Sequence, residues 1–218
     1  MKYLFFDTET TGLPKNREDA IKGPGNWPHI VSLSWQVYEN NTHVRTESYI
    51  VKPIEWYIPE DSIKIHGITN EKALVEGHYL LSVITKFMNE KSDYLIAHNM
   101  DFDYNVIMNA ILWDLKLSFP KFGKLFCTMK NSKEIMKIPF AIGLNGYKPH
   151  KLSELYEFVL KKKPVVNKLH TSSYDTQLLV DIVMNYEPFK QMLNLTTMKI
   201  KEVNEVPNKK RKLGTLFL

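Results

Sequence analysis

The chain opens on an apolar run, Tyr3-Leu4-Phe5-Phe6, that stops at Asp7-Thr8-Glu9. Residues 2–7 therefore predict a strand. Strand side chains alternate between faces, so Asp7 and Glu9 point the same way. Leu13 to His29 is rich in proline, glycine and charge and predicts a long loop. Ile30 to Tyr38 alternates again. Ile30, Ser32, Ser34 and Gln36 fall on one side, and Val31, Leu33, Trp35 and Val37 on the other, which predicts a strand with one strongly apolar face. Asn40-Asn41 marks a turn into a third strand, His43 to Val51, closed by Pro53. Three early strands in succession suggest an antiparallel meander.

From Pro59 the period changes. Pro59-Glu60-Asp61-Ser62 starts a short helix that runs through His66 and ends at Gly67. A longer helix over His78 to Asn89 carries the stripe Leu80, Leu81, Ile84, Phe87 and Met88. Asp93 to Ala97 is a short strand leading into His98-Asn99, and Phe102 to Leu115 has helical spacing. Leu125 to Thr128 reads as a last strand, and further helices fit Lys151 to Leu160 and Tyr174 to Tyr186. Strands first, then strands alternating with helices, predict an α/β layer fold with a mixed sheet. The periodicity fades beyond Asn194, so a domain over residues 1–194 and a tail over 195–218 are expected.

With 218 residues the chain can bury one sizeable core. Its 44% hydrophobic and 12% aromatic content excludes a disordered polymer. The net charge of +5 is compatible with a polyanionic partner. The lone Cys127 excludes an internal disulfide and a cysteine-based zinc cluster and fits a reducing compartment. No stretch approaches the roughly 20 apolar residues of a membrane helix, and Tyr3 to Phe6 is too short for a signal-peptide core. A soluble intracellular protein is expected, with no membrane partner.

Three constellations carry candidate chemistry. Asp7 and Glu9 form an oxygen-rich pair of the kind that suits Mg²⁺ or Mn²⁺; the alternative is a solvated strand end before a turn. In His98-Asn99-Met100-Asp101-Phe102-Asp103 the last carboxylate falls in the first turn of a helix, where the dipole favours it. There, capping by Asn99, Asp101 or Asp103 is an equal reading. In His170-Thr171-Ser172-Ser173-Tyr174-Asp175, Asp175 begins an amphipathic helix and His170 precedes it on a loop. A histidine titrates near pH 6.5 and can take a proton from water, although a capping Asp beside a surface His has the same pattern.

In chain order these elements resemble the DnaQ-like DEDDh family of 3'-5' exonucleases, which includes the proofreading subunit of bacterial DNA polymerase III. The matching residues are Asp7 and Glu9 in Phe-Asp-Thr-Glu-Thr-Thr-Gly, Asp103 in His-Asn-Met-Asp-Phe-Asp, and His170 with Asp175. Ile65-His66-Gly67-Ile68-Thr69, Phe126-Cys127-Thr128-Met129-Lys130 and Lys151-Leu152-Ser153-Glu154-Leu155 extend the match over residues 1–190. The segment Leu13 to Trp27 is longer than the matching connection in compact members. The resemblance implies an RNase H-like α/β fold, with a mixed five-stranded sheet flanked by helices. It also implies metal-dependent removal of nucleoside 5'-monophosphates from the 3' end of DNA, in proofreading or repair.

Four converging carboxylates would repel each other, and two divalent ions about 3.5–4 Å apart would relieve this. By resemblance, Asp7, Glu9 and Asp175 hold one ion, Asp7 holds a second near Asp103, and His170 takes the water's proton. Thr10, Thr11 and Gly12 would approach the terminal nucleotide, with Leu13, His66 and Asn99 as further pocket residues. Phe102 would either stack on a base or belong to the core. The same residues serve exoribonucleases, so RNA trimming stays open. A noncatalytic nucleic-acid-binding module is the reading of another class, against which stand five competent side chains.

The tail contains Pro207-Asn208-Lys209-Lys210-Arg211-Lys212 and ends Leu213-Gly214-Thr215-Leu216-Phe217-Leu218. A basic run of this kind is a solvated segment, a phosphate contact or, over Lys209–Lys212, a nuclear localisation signal. Location would be cytoplasmic in a bacterium. The apolar ending loosely resembles clamp-docking peptides but lacks their glutamine. The expected partner is a single-stranded or frayed 3' end, DNA before RNA, with a DNA polymerase and a sliding clamp as protein candidates.

Overall fold

The computed structural model describes residues 1–140 and 145–195. The strands are β1 (Lys2–Thr10), β2 (Ile30–Glu39), β3 (Thr42–Ile50), β4 (Tyr94–Ala97) and β5 (Lys124–Cys127). The helices are α1 (Glu60–His66), α2 (Asn70–Glu76), α3 (Leu80–Asn89), α4 (Met100–Asn109), α5 (Thr128–Met136), α6 (Leu152–Leu160), α7 (Ser172–Asn185) and α8 (Glu187–Met192). The strands make one five-stranded sheet in the order β3-β2-β1-β4-β5. β2 is antiparallel to β1 and β3, while β4 is parallel to β1 and β5. The sheet is thus mixed, as predicted.

β1 lies at the centre and is apolar on both faces, which is why its opening run does not alternate with polar residues. Leu4 and Phe6 pack with Leu33, Trp35 and Val37 of β2, Val83, Ile84 and Phe87 of α3, and Val106 and Ile107 of α4. Tyr3 and Phe5 pack on the other face with Leu155 of α6, Leu179, Ile182 and Val183 of α7, and Phe189 of α8. Each fully buried aliphatic or aromatic side chain contributes about 1.5–3 kcal/mol. Two helical layers therefore clamp the strand that carries Asp7 and Glu9.

Several boundaries differ from the sequence pattern. β1 continues past Asp7 to Thr10, because β2 pairs with it through Asp7↔Ser34 and Glu9↔Ser32 before a bulge between Glu9 and Thr10. α2, α5 and α8 were not expected. α2 buries only Ala73 and is started by Thr69, whose side chain accepts from the Lys72 amide. α5 is largely polar and is started by Cys127, whose Sγ accepts from the Lys130 amide. α8 follows α7 directly with Pro188 in its first turn, a position where proline starts a helix instead of breaking it. Gly67 ends α1 in the left-handed conformation (φ 73°), as its position predicts.

The long connection between β1 and β2 is docked on the body. Ala20 is fully buried, its amide donates to Asn105 Oδ1 at 2.7 Å, and its carbonyl accepts from Trp113 Nε1 at 2.7 Å. Trp113 lies where α4 widens into a π-helical turn, Ala110–Asp114. Asp114 in the same turn lies 3.1 Å from His29 Nδ1. None of the described helices is long and apolar enough to cross a membrane. Leu195 is buried and its carbonyl accepts from Asn41 Nδ2 at 3.0 Å. The basic run and the apolar ending expected beyond it lie outside the described residues.

Candidate active site

Asp7 and Glu9 sit on the sheet face covered by α7, in line with Tyr3 and Phe5. Directly across from them on β2 stand Ser34 and Ser32, whose side chains share that face. Ser172, the first residue of α7, places its Oγ 2.7 Å from Ser34 Oγ and 2.9 Å from Ser32 Oγ. Thr176 donates its hydroxyl to the Ser172 carbonyl at 2.7 Å and reaches the Ser34 carbonyl at 3.3 Å. These small side chains let the helix start lie close on the strands. Asp175, three residues beyond Ser172 and hence on a neighbouring part of the helix surface, then meets the strand pair. One oxygen each from Asp7, Glu9 and Asp175 lies within 4.8 Å of the others.

Asp103 arrives from the opposite face. β4 stops pairing with β1 at Phe5↔Ile96, so beyond that point one edge of β1 lacks a strand neighbour. Asp103, at the start of α4, occupies this gap. Its Oδ1 accepts from the Thr8 amide at 3.1 Å and from Thr8 Oγ1 at 2.7 Å. Asp103 is buried, and these Oδ1 bonds go to β1, which distinguishes it from a simple helix cap. It stands beside the three-carboxylate cluster, not within it.

The cluster strains against its own charge. Burial, then the charges of Asp103, Glu9 and Asp175, holds the Asp7 carboxyl well above the usual range. Burial and the charges of Asp175 and Asp103 push Glu9 up to about 8. Asp103 rises to about 7 through burial, against the hydrogen bonds from Thr8. Asp175 rises to about 6, again through burial and against the His170 amide. That amide donates to Asp175 Oδ2 at 3.2 Å, whereas Oδ1 is buried with no partner among the described residues. No lysine or arginine pairs with any of the four acids among the described residues. An all-oxygen set with an orphaned buried oxygen fits a hard divalent cation. The acidic cluster can therefore hold one.

His170 is exposed and adopts φ 61°, a left-handed turn that aims its amide at Asp175. Around the cluster, Thr10 is buried and donates its hydroxyl to the Gly12 carbonyl at 2.7 Å. Gly12 itself has φ 146°. Thr11 and His29 exchange hydrogen bonds that close the base of the loop, Thr11 N to His29 O and His29 N to Thr11 Oγ1, both at 3.0 Å. Leu13 is 82% exposed. His66 is buried with its Nε2 unpartnered among the described residues, and burial lowers its pKa against the nearby Thr10 carbonyl. Asn99 is exposed in a left-handed turn (φ 64°), with its carbonyl accepting from the Phe102 amide. Phe102 is half-buried, edge-on to Trp27 at 5.9 Å, and belongs to the periphery of the core.

Sequence reasoning assigned no role to a buried clasp just behind Asn99. His98 Nε2 donates to the His150 carbonyl at 3.0 Å, leaving Nδ1 to accept from Thr128 Oγ1 at 3.0 Å. His150 Nε2 lies 2.8 Å from Ser132 Oγ, whose hydroxyl donates to the Thr128 carbonyl. Burial pushes His98 down to about 4, so the ring is neutral at physiological pH. No motif along the chain assigns a role to the serine seam or to Thr8. Their only sequence signal was small polar residues recurring at every second position of β1 and β2.

The fold is shared with solved nucleases at low identity. Zinc-bound E. coli exonuclease I in complex with single-stranded DNA matches with a TM-score of 0.65 at 14% identity, over 88% of this chain and 43% of that one. Exonuclease X in complex with 5' overhanging duplex DNA matches at 24% identity and a TM-score of 0.54, over 89% of this chain and 99% of that one. Exonuclease I from Methylocaldum szegediense gives 14% identity and 0.63, over 88% and 43%. The chain thus spans less than half the length of the exonuclease I proteins it matches. These likenesses identify the RNase H-like exonuclease fold. No curated protein sequence matches the chain. The exonuclease family model RNase_T matches residues 4–183, which takes in both strand carboxylates, Asp103, His170 and Asp175, and the chain belongs to that family.

Proposed function

We propose that this protein is a DEDDh-type 3'-5' exonuclease that removes nucleoside 5'-monophosphates from DNA with the help of Mg²⁺ or Mn²⁺. The observation that carries the reading is the meeting of Asp7, Glu9 and Asp175 oxygens within 4.8 Å, with Asp103 fixed beside them through Thr8. In this reading Asp7, Glu9 and Asp175 would hold one ion, and Asp7, with Asp103 nearby, would hold a second. Bound divalent ions supply polarisation of the phosphodiester and a more acidic water. The protein's own contributions are positional. The His170 ring, on a turn tied to Asp175, takes the water's proton. Thr10, Thr11 and Gly12 line the place of the terminal nucleotide, and exposed Leu13, buried His66, Asn99 and Phe102 border it.

DNA is preferred as substrate because the likeness covers exonucleases solved with single-stranded and 5' overhanging duplex DNA. The biological setting proposed is proofreading or repair, with a polymerase as the candidate protein partner. The test offers 5'-labelled single-stranded DNA, a duplex with a mismatched 3' end and single-stranded RNA, each with Mg²⁺, Mn²⁺ or EDTA. The expected result is a ladder shortening from the 3' end of DNA, absent in EDTA and in Asp7→Ala or Asp175→Ala. Internal cuts, loss from the 5' end or full activity in either variant overturns the proposal; preference for RNA moves it to the exoribonuclease alternative.

A further inference from the structure

Apart from the basic run Lys209-Lys210-Arg211-Lys212, positive charge is concentrated in one part of the chain. Residues 124–170 contain ten lysines and three acidic residues, a net of +7 against +5 for the whole protein. The densest portion is the connection from α6 to α7, Lys161-Lys162-Lys163-Pro164-Val165-Val166-Asn167-Lys168, which has four cations and no acid. All four lysines are exposed. Among the described residues none of the four is in an ion pair.

This connection is fastened to the candidate site. The Val165 amide donates to the Tyr174 hydroxyl at 2.8 Å, and Tyr174 immediately precedes Asp175. Lys168 closes a 3₁₀ turn, Val166–Lys168. Its carbonyl accepts from Thr171 Oγ1 at 2.8 Å and its ammonium lies 6.0 Å from the Tyr174 ring centre. Lys168 therefore stands against the first turn of α7, and Lys161 closes α6 at the other end of the same connection, its amide donating to the Glu157 carbonyl and its ammonium 4.7 Å from the Phe158 ring centre; the four cations share one ledge between the two helices. Val165 and Val166 are 50% and 77% exposed between them, an apolar strip flanked by positive charge.

We infer that this ledge, chiefly Lys161, Lys162 and Lys163, binds the phosphates of the DNA strand upstream of its 3' terminal nucleotide. Lysines act on phosphate as point charges and read no sequence, which suits an enzyme that must accept every nucleotide in turn. The four site acids repel a polyanion, and a neighbouring row of unpaired cations supplies the compensating attraction. Val165 and Val166 offer an apolar surface to sugars or bases. The inference rests on the exonuclease reading, and its test separates the two.

The full chain is compared with a triple Lys161→Ala, Lys162→Ala, Lys163→Ala variant and with the corresponding triple arginine variant. Binding of fluorescent dT20 is followed by anisotropy in EDTA from 50 to 200 mM salt, and hydrolysis of the dinucleotide dT2 is followed with Mg²⁺. Each single-strand phosphate contact contributes about 0.7 to the salt slope. Wild type should therefore lose about twentyfold more affinity across this range than the alanine variant, if three contacts form. The arginine variant should keep the wild-type slope, and dT2 hydrolysis should be unchanged because a dinucleotide is too short to reach the ledge. An unaltered slope in the alanine variant, or a parallel loss of dT2 hydrolysis, overturns the ledge. A reduced slope in a protein that hydrolyses neither substrate supports the ledge and sinks the exonuclease reading.

Discussion

Replacing Glu9 by glutamine should stabilise the metal-free protein at pH 8, although it removes a proposed metal ligand. Glu9 is 9% exposed, and burial with the charges of Asp175 and Asp103 lifts its carboxyl from 4.5 to about 8. Between those values the folded protein keeps a proton that the unfolded chain has released. Stability from Glu9 is thus complete below about 4.5 and is lost as pH rises through about 8. The rise from 4.5 to about 8, at about 1.4 kcal/mol for each tenfold change in proton affinity, sets an upper bound near 5 kcal/mol, comparable with the whole stability of a small domain. Asp175 and Asp103 share the titration, so roughly 2 kcal/mol, or about 4–8 °C in Tm, is the expected effect.

The assay is thermal unfolding in EDTA at pH 5 and pH 8. Wild-type Tm should fall between the two, and Glu9→Gln should fall less and exceed wild type at pH 8. Mn²⁺ at pH 8 should raise the wild-type Tm, because a ligand that binds only the folded state stabilises it by mass action, and should raise the variant less. A wild-type Tm in EDTA that is flat or rises from pH 5 to pH 8 refutes the reasoning. So does a Glu9→Gln protein less stable than wild type at pH 8.

Three further outcomes follow from the same geometry. His170→Ala should lower turnover about 10²–10⁴-fold with dT20 affinity unchanged, read from single-turnover rates and anisotropy; equal turnover removes His170 from the base role. Ser172→Val puts two methyl groups into the hydroxyl seam against Ser32 and Ser34, so it should cost about 1–3 kcal/mol by overpacking and weaken Mn²⁺ binding measured calorimetrically. Trp113→Phe removes the shorter of the two hydrogen bonds to the Ala20 carbonyl and leaves that from the Gly23 amide at 3.4 Å, so it should cost about 0.5–1.5 kcal/mol and speed protease cleavage within residues 13–29.

Much of this architecture could be read along the chain. Most of the strands and the helices α3, α4, α6 and α7 follow from an apolar period, whereas β3 and α1 follow from punctuation, the Asn40-Asn41 turn with Pro53 and the Pro59 start with Gly67. The unexpected helices lack such an apolar period. α2 buries one alanine, α5 is mostly polar, and in such segments capping and tertiary contact replace the amphipathic stripe. Asp7, Glu9, Asp103, His170 and Asp175 stand out through their joint order along the chain and the family resemblance that order carries, because each constellation alone reads equally as a solvated strand end or a helix cap. The residues that bring them together do not stand out. Ser32, Ser34 and Gln36 look like a solvated strand face, yet they are buried against α7 and satisfied by Ser172 and Gln177. A sequence displays polarity but not which polar groups find each other.

That hidden seam determines what β1 can present. On one side β2 pairs with β1 along its whole length, and the serines opposite Asp7 and Glu9 bring α7 and Asp175 down onto the strand. On the other side β4 pairs only with Tyr3 to Phe5, so the far half of β1 overhangs. Its Thr8 amide, lacking a strand partner there, is satisfied by Asp103 from α4. Extending β4 would complete the sheet and displace that carboxylate; replacing the serines by larger residues would lift Asp175 away. The acids converge because β1 has one fully paired edge and one unfinished edge, so residues that carry no charge set the geometry of the acidic cluster.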